Sequence, residues 1–479
     1  MSTPPPRCDA GIAHAADRGD GAEHPILVLA TCILASSLAF VDGSVVNVGL
    51  PAIGRSLHGG AADLQWVVNA YLLPLSALLL LGGALGDRFG RRSLLILGVA
   101  LFAIASAGCG LAPDLPWLLA ARALQGVGAA LLLPNSLAIL GASFTGEARG
   151  RAVGTWASTA AIAGALGPVL GGWLIDGVGW RSIFVPNPPL AAGAIALALI
   201  AVHEATGKEK KQALDPVGAA LATLALGGFV WGLTVGSGPA GWTPSAIAGV
   251  VAGALLGAAF VGWELKKGDA AMTPPALFGS RELIALNLMT LVLYGALGGL
   301  LVLIPYLLIG AAHYSATAAG AALLPFPVVM AVGGPISGSI AGRFGSRLPM
   351  TLGSLIVAAG FLAGMRIDAQ ADYWTTVLPC VLLIAVGMSF VAAPLTTAVL
   401  SSVDARHTGS ASGLNSAVAR AGGLVVTALL GQVLAQHDAG LVAAVRSAAL
   451  AGAALALVSA AFAFFGLLGA DHAKAKSPK

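Results

Sequence analysis

The feature that most constrains this chain is a series of long apolar runs, each long enough to cross a bilayer as a helix. A spanning helix needs roughly twenty apolar residues. Charged residues make up only 10% of the chain, whereas soluble domains carry about 25%, so the chain cannot cover a water-facing surface. We therefore expect an all-α polytopic membrane protein. The runs predict fourteen spans, at residues 26–50, 65–86, 93–112, 116–140, 153–176, 181–202, 216–237, 243–264, 283–309, 317–341, 348–366, 374–400, 409–436 and 445–469.

The basic residues lie mostly in the connections on one side of these runs. With fourteen spans, Arg122 and Arg420 fall inside helices, and few basic residues fall on the side opposite the termini, namely Arg55, Arg181, Arg366 and Arg446. Short loops rich in Lys and Arg stay on the cytoplasmic side. We therefore expect a bacterial inner-membrane protein with a polar tail, 1–25, and a basic tail, 470–479, both in the cytoplasm.

A ten-residue turn occurs twice in the chain. GALGDRFGRR, Gly83–Arg92, and GSIAGRFGSR, Gly338–Arg347, share five residues at the same spacing. Each turn follows the second run of its half if the two runs between 216 and 264 are set aside. Parallel six-helix repeats suit alternating access, with a substrate site between the halves. The repeat predicts an N-terminal six-helix bundle, a linker with two extra transmembrane helices and a C-terminal six-helix bundle, at 26–202, 203–282 and 283–469.

Several motifs occur in order along these runs. They are VDGSVVNVGLPAI in the first run, GALGDRFGRR after the second, RALQGVGAALLLP from Arg122, and GPVLGGWL from Gly167. Together they resemble the major facilitator superfamily, specifically its fourteen-helix drug:proton antiporter family of the QacA/EmrB type. The resemblance implies a proton-coupled multidrug efflux antiporter that exports lipophilic compounds by alternating access. A dedicated exporter of one metabolite or antibiotic on the same fold is the alternative.

Asp42 is the carboxylate best placed in the middle of a span, about sixteen residues into the first run. Carboxylates there are costly, and they usually face a cavity and serve ions or protons. We therefore expect Asp42 to carry the coupled proton; the alternative is a packing residue bonded to Asn47 or to backbone. The resemblance implies that Arg122 tunes proton release, although an arginine near the outer end of its helix could instead extend to water.

Four polar residues within the runs are candidates for the substrate pocket. Gln125 lies one turn after Arg122 and could share its network, and Arg420 is a second cation inside a helix. Asn69 and Tyr71 lie in the family-like segment QWVVNAYLL. Ligand pockets are mostly apolar with a few placed polar groups. For Arg420, a substrate contact and simple bonding to backbone carbonyls stay equally open.

Two further sets of residues are candidates for gating. The first turn carries four charges, and the resemblance implies a cytoplasmic latch made by Asp87, Arg88, Arg91 and Arg92. A turn that only sets topology is the alternative, and the second copy of the turn has Gly342 in place of the aspartate. The other set lies in the fifth run, where proline bends a helix and glycines permit close packing, at Gly167, Pro168, Gly171 and Gly172.

Other function classes find little support. The sequence contains no P-loop, no G-x-S-x-G and no metal-ligand spacing, so we expect no enzyme, cofactor or metal. The four cysteines are scattered, which indicates free thiols. The net charge of +4 comes from short turns and does not indicate nucleic-acid binding. The expected partners are a lipophilic small molecule, protons and the lipid bilayer, and the protein is expected to be a monomer.

Overall fold

The computed structural model describes residues 24–144, 146–204, 215–238, 240–268, 271, 273, 275–403, 408–436 and 438–468. The described residues form helices and turns, with no strand among them. Apart from residues 24 and 25, the two predicted tails lie outside this part of the chain. The prediction of an all-α polytopic fold is therefore confirmed for the described residues.

The helices follow the predicted runs. The first six are α1 (Pro25–Leu57), α2 (Ala61–Phe89), α3 (Arg91–Gly110), α4 (Leu115–Ser143), α5 (Gly146–Gly177) and α6 (Asn187–Ala201). The next three are α7 (Pro216–Gly236), α8 (Pro244–Lys267) and α9 (Arg281–Gly310). The remainder are α10 (Ala316–Ala321), α11 (Pro325–Phe344), α12 (Arg347–Gly364), α13 (Leu378–Ser401), α14 (Thr408–Ala428), α15 (Gly431–Leu434) and α16 (Asp438–Gly466).

The number of membrane spans follows from the length and apolarity of these helices. Among the described residues, 11 helical segments are long and apolar enough to cross a membrane. The two parts of α2, Asp63–Leu79 and Leu81–Phe89, are bent by 53° and make a twelfth if they form one span. The apolar part of α5 is only Ile162–Gly177, and α14 carries Ser, Asn and Arg side chains. Fourteen spans therefore stay a prediction.

The two halves repeat one close helix crossing. The two repeated turns are 255 residues apart in the sequence, and the same offset aligns Gly98 with Gly353. A Cβ atom on Gly98 would lie 2.8 Å from the carbonyl oxygen of Gly128, and one on Gly353 would lie 2.6 Å from that of Gly387. Only glycine allows backbones to approach so closely. The third and fourth helices of both halves therefore cross in the same way, which supports the internal repeat.

The linker helices α7 and α8 lie at the side of the bundle. α7 packs on α8, α2 and α14, whereas α8 packs on α7 and buries only Ala246, Gly253 and Glu264. Asp215 accepts hydrogen bonds from the Gly218 N–H and the Trp263 indole. Burial raises the pKa of Asp215, but these hydrogen bonds and the charge of Lys267 lower it below the ordinary value. The start of α7 is thus tied to the end of α8.

The end of the bundle that carries the turns Gly83–Arg92 and Gly338–Arg347 is called the inner end here, and the opposite end the outer end. At the outer end, Asp176 of α5 accepts hydrogen bonds from the backbone N–H groups of Ala316 and Thr317, at 3.0 and 2.9 Å. A carboxylate at a helix N-terminus is stabilised by the unpaired N–H groups and by the helix dipole. The two halves are therefore joined at this point.

A second outer contact joins α2 to α14. The Gln65 side chain donates hydrogen bonds to the carbonyls of Thr427 and Ala428, at 2.9 and 3.2 Å. Among the described residues, the hydrogen bonds between the two halves all lie at the outer end. The described hydrogen bonds thus hold the two halves together at the outer end.

The glycines of α5 make two different close contacts. Gly167 and Gly171 lie against Ser44 and Val45 of α1, inside the N-terminal half. Gly172 lies against the backbone of Ala316 in the other half, and Pro168 contacts Gly320 in the same way. A Cβ atom at Gly172 would overlap the Ala316 carbonyl. Close packing at the predicted gating positions of α5 is therefore present, while their role in gating stays a prediction.

Replacing Gly172 by Ala is expected to push α5 away from α10, because the added methyl group overlaps the Ala316 backbone. The outer closure should loosen. We expect a membrane-impermeant thiol reagent to modify an Ala52→Cys reporter faster in Gly172→Ala than in the parent, in a background without native cysteines. Gly177→Ala is the matched control, since a Cβ atom there has no neighbour within 4 Å. Equal rates for both glycine variants would contradict the role of Gly172 in closure.

Candidate functional site

The N-terminal half buries one ion pair. Arg122 of α4 donates from Nη1 to Oδ2 of Asp42 on α1, and each residue is only 1% exposed. The Nε atom of Arg122 donates to the carbonyl of Val67 on α2, at 3.1 Å. Arg122 therefore does not extend outward to water, because its guanidinium is turned toward α1. The main partner of Asp42 is this cation and not Asn47.

Gln125 links the ion pair to α3. Its Nε2 atom donates to Oδ1 of Asp42 at 3.1 Å and to the Ser106 hydroxyl at 2.8 Å. Its Oε1 atom accepts hydrogen bonds from Arg122 at 2.8 Å and from the Cys109 thiol at 3.3 Å. Both ends of the Gln125 amide are thus used by the network. Gln125 acts here as a partner of the ion pair rather than as a free pocket residue.

Asn187 closes the network from α6. Its Nδ2 atom donates to the Ser106 hydroxyl at 2.7 Å, and the residue is 4% exposed. Ser106, Cys109 and Asn187 were not predicted as site residues. Asn187 lies in the segment WRSIFVPNPP, where an amide beside prolines at the start of an apolar helix was a usable signal. Ser106 and Cys109 offered no comparable signal, since Ser and Cys are common in membrane helices.

Tyr71 and Asn69 of α2 are two residues apart and differ in their bonding. The Tyr71 hydroxyl donates to the carbonyl of Ala39 at 3.1 Å, and the Arg122 guanidinium lies 4.4 Å from the centre of the Tyr71 ring. Such a cation–π contact is strongest where water is excluded. Asn69 is fully buried, and neither its amide oxygen nor its nitrogen has a hydrogen-bond partner in the described part of the chain. Its amide therefore stays available.

Arg420 of α14 faces α2 from the other half. The contact of Gln65 with Thr427 sets an antiparallel register between the two helices, which places Arg420 across from Tyr71. The two residues lie within electrostatic range of each other. Among the described residues Arg420 makes no hydrogen bond or ion pair. The structure thus brings Arg420 close to the site without assigning it a protein partner.

The predicted latch residues make contacts within the N-terminal half. Arg91 pairs with Asp87 at 2.8 Å and also donates to the carbonyl of Ala138 on α4, at 3.2 Å. The Arg88 guanidinium lies 5.5 Å from the centre of the Phe89 ring. Asp87 and Arg91 are both solvent-accessible, and surface pairs of this kind contribute little to stability. A latch between the halves at these residues stays a prediction.

Glu204 stabilises the same turn and was not predicted. Its carboxylate accepts hydrogen bonds from the backbone N–H groups of Arg92 and Ser93, at 3.2 and 3.1 Å, and from the Ser93 hydroxyl at 2.6 Å. It therefore caps the N-terminus of α3, where unpaired N–H groups favour an anion. Gly90, with φ of 106°, allows the chain to turn tightly beside this carboxylate. The cap links the turn to the end of α6.

No metal centre emerges among the described residues, which contain no group of three or more His, Cys, Asp or Glu that could hold an ion. The structure instead gathers Asp42, Arg122, Gln125 and Tyr71 into one buried network. It places Arg420 across from that network and the turn Gly83–Arg92 at the far end of the helices. The role of Asp42 as the proton carrier stays a prediction.

A helical membrane protein with repeated halves, a buried charge and one closed end has the architecture of a secondary transporter. A model of the Major Facilitator Superfamily matches residues 32–427, with a second match over 286–479. The chain therefore belongs to the Major Facilitator Superfamily. This membership confirms the prediction of a multi-pass membrane transporter that is not an enzyme.

Similar proteins include the Tetracenomycin C resistance and export protein of Streptomyces glaucescens. It is 34% identical over 442 residues, which cover 91% of this chain and 81% of that protein. The Multidrug resistance protein Stp of Mycobacterium tuberculosis (strain CDC 1551 / Oshkosh) is 34% identical over 412 residues, 86% and 76% of the two chains. The crystal structure of a bacterial homologue of the human lysosomal transporter Spinster, inward-facing and unoccupied, superposes with a TM-score of 0.61 at 19% identity, covering 92% and 96%. This last likeness shows the fold.

Removing one partner of the buried ion pair is expected to destabilise the protein. A buried charge without its partner costs about 3–5 kcal/mol. Asp42→Asn and Arg122→Gln should each lower the melting temperature of the detergent-solubilised protein, and the double variant should lose less than the sum of the two. Additive losses would contradict direct coupling of the two side chains. Asp63→Asn, in the first turn of α2, is a control for the loss of a carboxylate outside the buried network, because the amide oxygen can still accept the hydrogen bond from the Gly60 N–H.

Proposed function

We propose that this protein is a fourteen-span, proton-coupled efflux antiporter of the QacA/EmrB type that exports lipophilic compounds by alternating access. Its expected setting is a bacterial inner membrane, with both termini in the cytoplasm. The observation that carries the proposal is the buried pair of Asp42 and Arg122, which lies deep in the N-terminal half. The names of the relatives, which include a resistance and export protein and a multidrug resistance protein, support efflux of drug-like compounds.

Asp42 is the group that we propose to take up and release the proton. Its charge is balanced by Arg122 and by a hydrogen bond from Gln125. When a proton reaches Asp42, the attraction to Arg122 falls. Arg122 still donates to Gln125 and to the Val67 carbonyl, so the cation keeps two acceptors in both protonation states. Arg122 therefore keeps hydrogen-bond acceptors when the pair opens, but its charge is no longer balanced, and this imbalance favours movement of the helices that hold it.

The packing of α1 offers a route from this carboxylate to the outer closure. Ser44 and Val45 follow Asp42 on α1 and lie against Gly167 and Gly171 of α5. The neighbouring face of α5, about 100° round the helix axis, contacts α10 of the other half through Gly172. A shift of α1 on protonation would thus move α5 at the contact that closes the outer end. We propose that protonation of Asp42 shifts the contact between α5 and α10 toward its open arrangement.

A dedicated exporter of one metabolite or antibiotic is the second candidate. It is supported by relatives named for single compounds, among them the Tetracenomycin C resistance and export protein and a Methylenomycin A resistance protein of Bacillus subtilis. The same buried pair serves this candidate equally well. The two candidates differ in the range of compounds that move protons.

The first test is substrate-induced proton movement in everted vesicles with an imposed pH gradient. We expect several unrelated lipophilic compounds to release protons from vesicles that contain the parent protein. Asp42→Asn should abolish the response, because a neutral amide cannot exchange a proton; vesicles that contain equal amounts of parent and variant protein allow for the lower stability of the variant. The measurement is the change in fluorescence of a pH-gradient probe after each compound is added.

Asp372→Asn is the matched control for the loss of a carboxylate. Hydrogen bonds from Thr375 lower the pKa of Asp372, which lies outside the spans, so this variant should respond like the parent. Proton release that survives in Asp42→Asn would place the proton carrier elsewhere. A response to a single compound would favour the dedicated exporter.

A further inference from the structure

The C-terminal half contains an apolar cavity of about 230 Å³ in its outer part. It lies among α9, α12, α13, α14 and α16. For comparison, an engineered apolar cavity of about 150 Å³ binds benzene. Its walls carry aliphatic and aromatic groups together with one thiol, as shown by Ala296, Leu300, Phe361, Cys380, Val426 and Ala448.

The matching place in the N-terminal half is filled by polar groups. The sequence offset that relates the two repeated turns carries Ser106 onto Phe361 and Cys109 onto Gly364. Ser106 and Cys109 hydrogen bond to Gln125, whereas Phe361 and Gly364 line the cavity. The cavity is therefore the apolar counterpart of the ion-pair network and needs an apolar occupant.

The cavity is closed toward the space between the halves. α9 and α14 pack closely on that side, where a Cβ atom on Gly295 would lie 3.1 Å from the carbonyl oxygen of Gly422 and 2.9 Å from Val426. On the other side, the described parts of α14 and α16 do not pack along each other. Leu429 and Ala451 line the cavity there and are exposed, Leu429 by 46%. The opening thus lies on the outer surface of the bundle between α14 and α16, the side that faces the bilayer in a membrane-spanning protein.

Two arginines lie at the outer rim of this opening. Arg446 follows the lining residue Val445, and its Nε atom donates to the carbonyl of the lining residue Ile367, at 3.2 Å. Arg366 precedes Ile367, and both arginines are exposed. The bond to Ile367 uses Nε and leaves the terminal nitrogens of Arg446 for another acceptor. Guanidinium groups match phosphate oxygens in geometry and charge.

We propose that this cavity and its rim form a binding site for one anionic phospholipid, with an acyl chain in the cavity and the phosphate on Arg446 and Arg366. Hydrocarbon tails are as apolar as leucine, so transfer from lipid to protein gains little by itself. The chain instead restores the dispersion contacts that an empty cavity lacks. The two arginines supply selectivity, because basic residues at a membrane surface attract anionic headgroups. This site is independent of the proposed transport function.

The test uses the purified full-length protein, delipidated in detergent and titrated with phosphatidylglycerol or with phosphatidylcholine of the same chains. Native mass spectrometry counts the bound lipids. We expect one tightly held phosphatidylglycerol per chain and weaker retention of phosphatidylcholine. Arg366→Gln and Arg446→Gln should each weaken phosphatidylglycerol retention by about fivefold, and Arg446→Lys should restore most of it. Ala451→Phe, which fills the mouth of the cavity, should reduce retention of both lipids.

Matched variants separate the site from general lipid contact. Ala454→Phe adds the same side chain to an exposed position of α16 that does not line the cavity, and Arg55→Gln removes another outer arginine. Both should retain lipid like the parent, and melting temperatures check that each variant is folded. Full retention in Ala451→Phe, or an unchanged lipid preference in the arginine variants, would overturn the proposal. So would equal binding of glycerophosphoglycerol, which lacks chains, or displacement of the lipid by a lipophilic substrate.

Discussion

The buried ion pair between Asp42 and Arg122 is the constraint on which the N-terminal half depends. Two charges in a low-dielectric core are tolerated only when each is paired and hydrogen bonded. Five helices meet that requirement here: α1 and α4 supply the charges, α2 a carbonyl, α3 a hydroxyl and a thiol, and α6 an amide. The pair therefore fixes the rotation of these helices about their axes. Hydrophobic packing alone would not fix it, because the helix surfaces are almost uniformly apolar.

The C-terminal half uses the same scaffold without that constraint. The offset that relates the two repeated turns carries Asp42 onto Leu297 and Gln125 onto Cys380. Cys380 lines the apolar cavity, so part of the polar network in one half corresponds to an apolar void in the other. Close glycine crossings position the helices in both halves, but only the N-terminal half adds a polar network to them. The repeat has thus kept its backbone geometry while its interior chemistry has diverged.

The sequence carries enough information for the apolar helices and for the two buried charges, but not for the partners of these charges. Apolar runs of about twenty residues predict helices directly, and a carboxylate or an arginine inside such a run is conspicuous because it is costly. Ser106, Cys109 and Asn187 become site residues only through their rotation toward Gln125. A helix that is apolar all round gives no period from which this rotation can be derived. The capping role of Glu204 likewise depends on how the turn Gly83–Arg92 packs against the end of α6, which the sequence does not show.

The same reasoning locates the contact that must change when the outer end opens. Gly167 and Gly171 hold α5 against α1 by close packing within one half. The half-buried Trp156 indole of α5 adds a hydrogen bond to the Ser36 hydroxyl of α1 at 3.0 Å. Asp176 holds α5 to α10 through N–H groups, and water can replace such bonds at little net cost. Separating α5 from α10 therefore costs less free energy than separating α5 from α1. α1 and α5 would then move together, and the carboxylate of Asp42 would move with them.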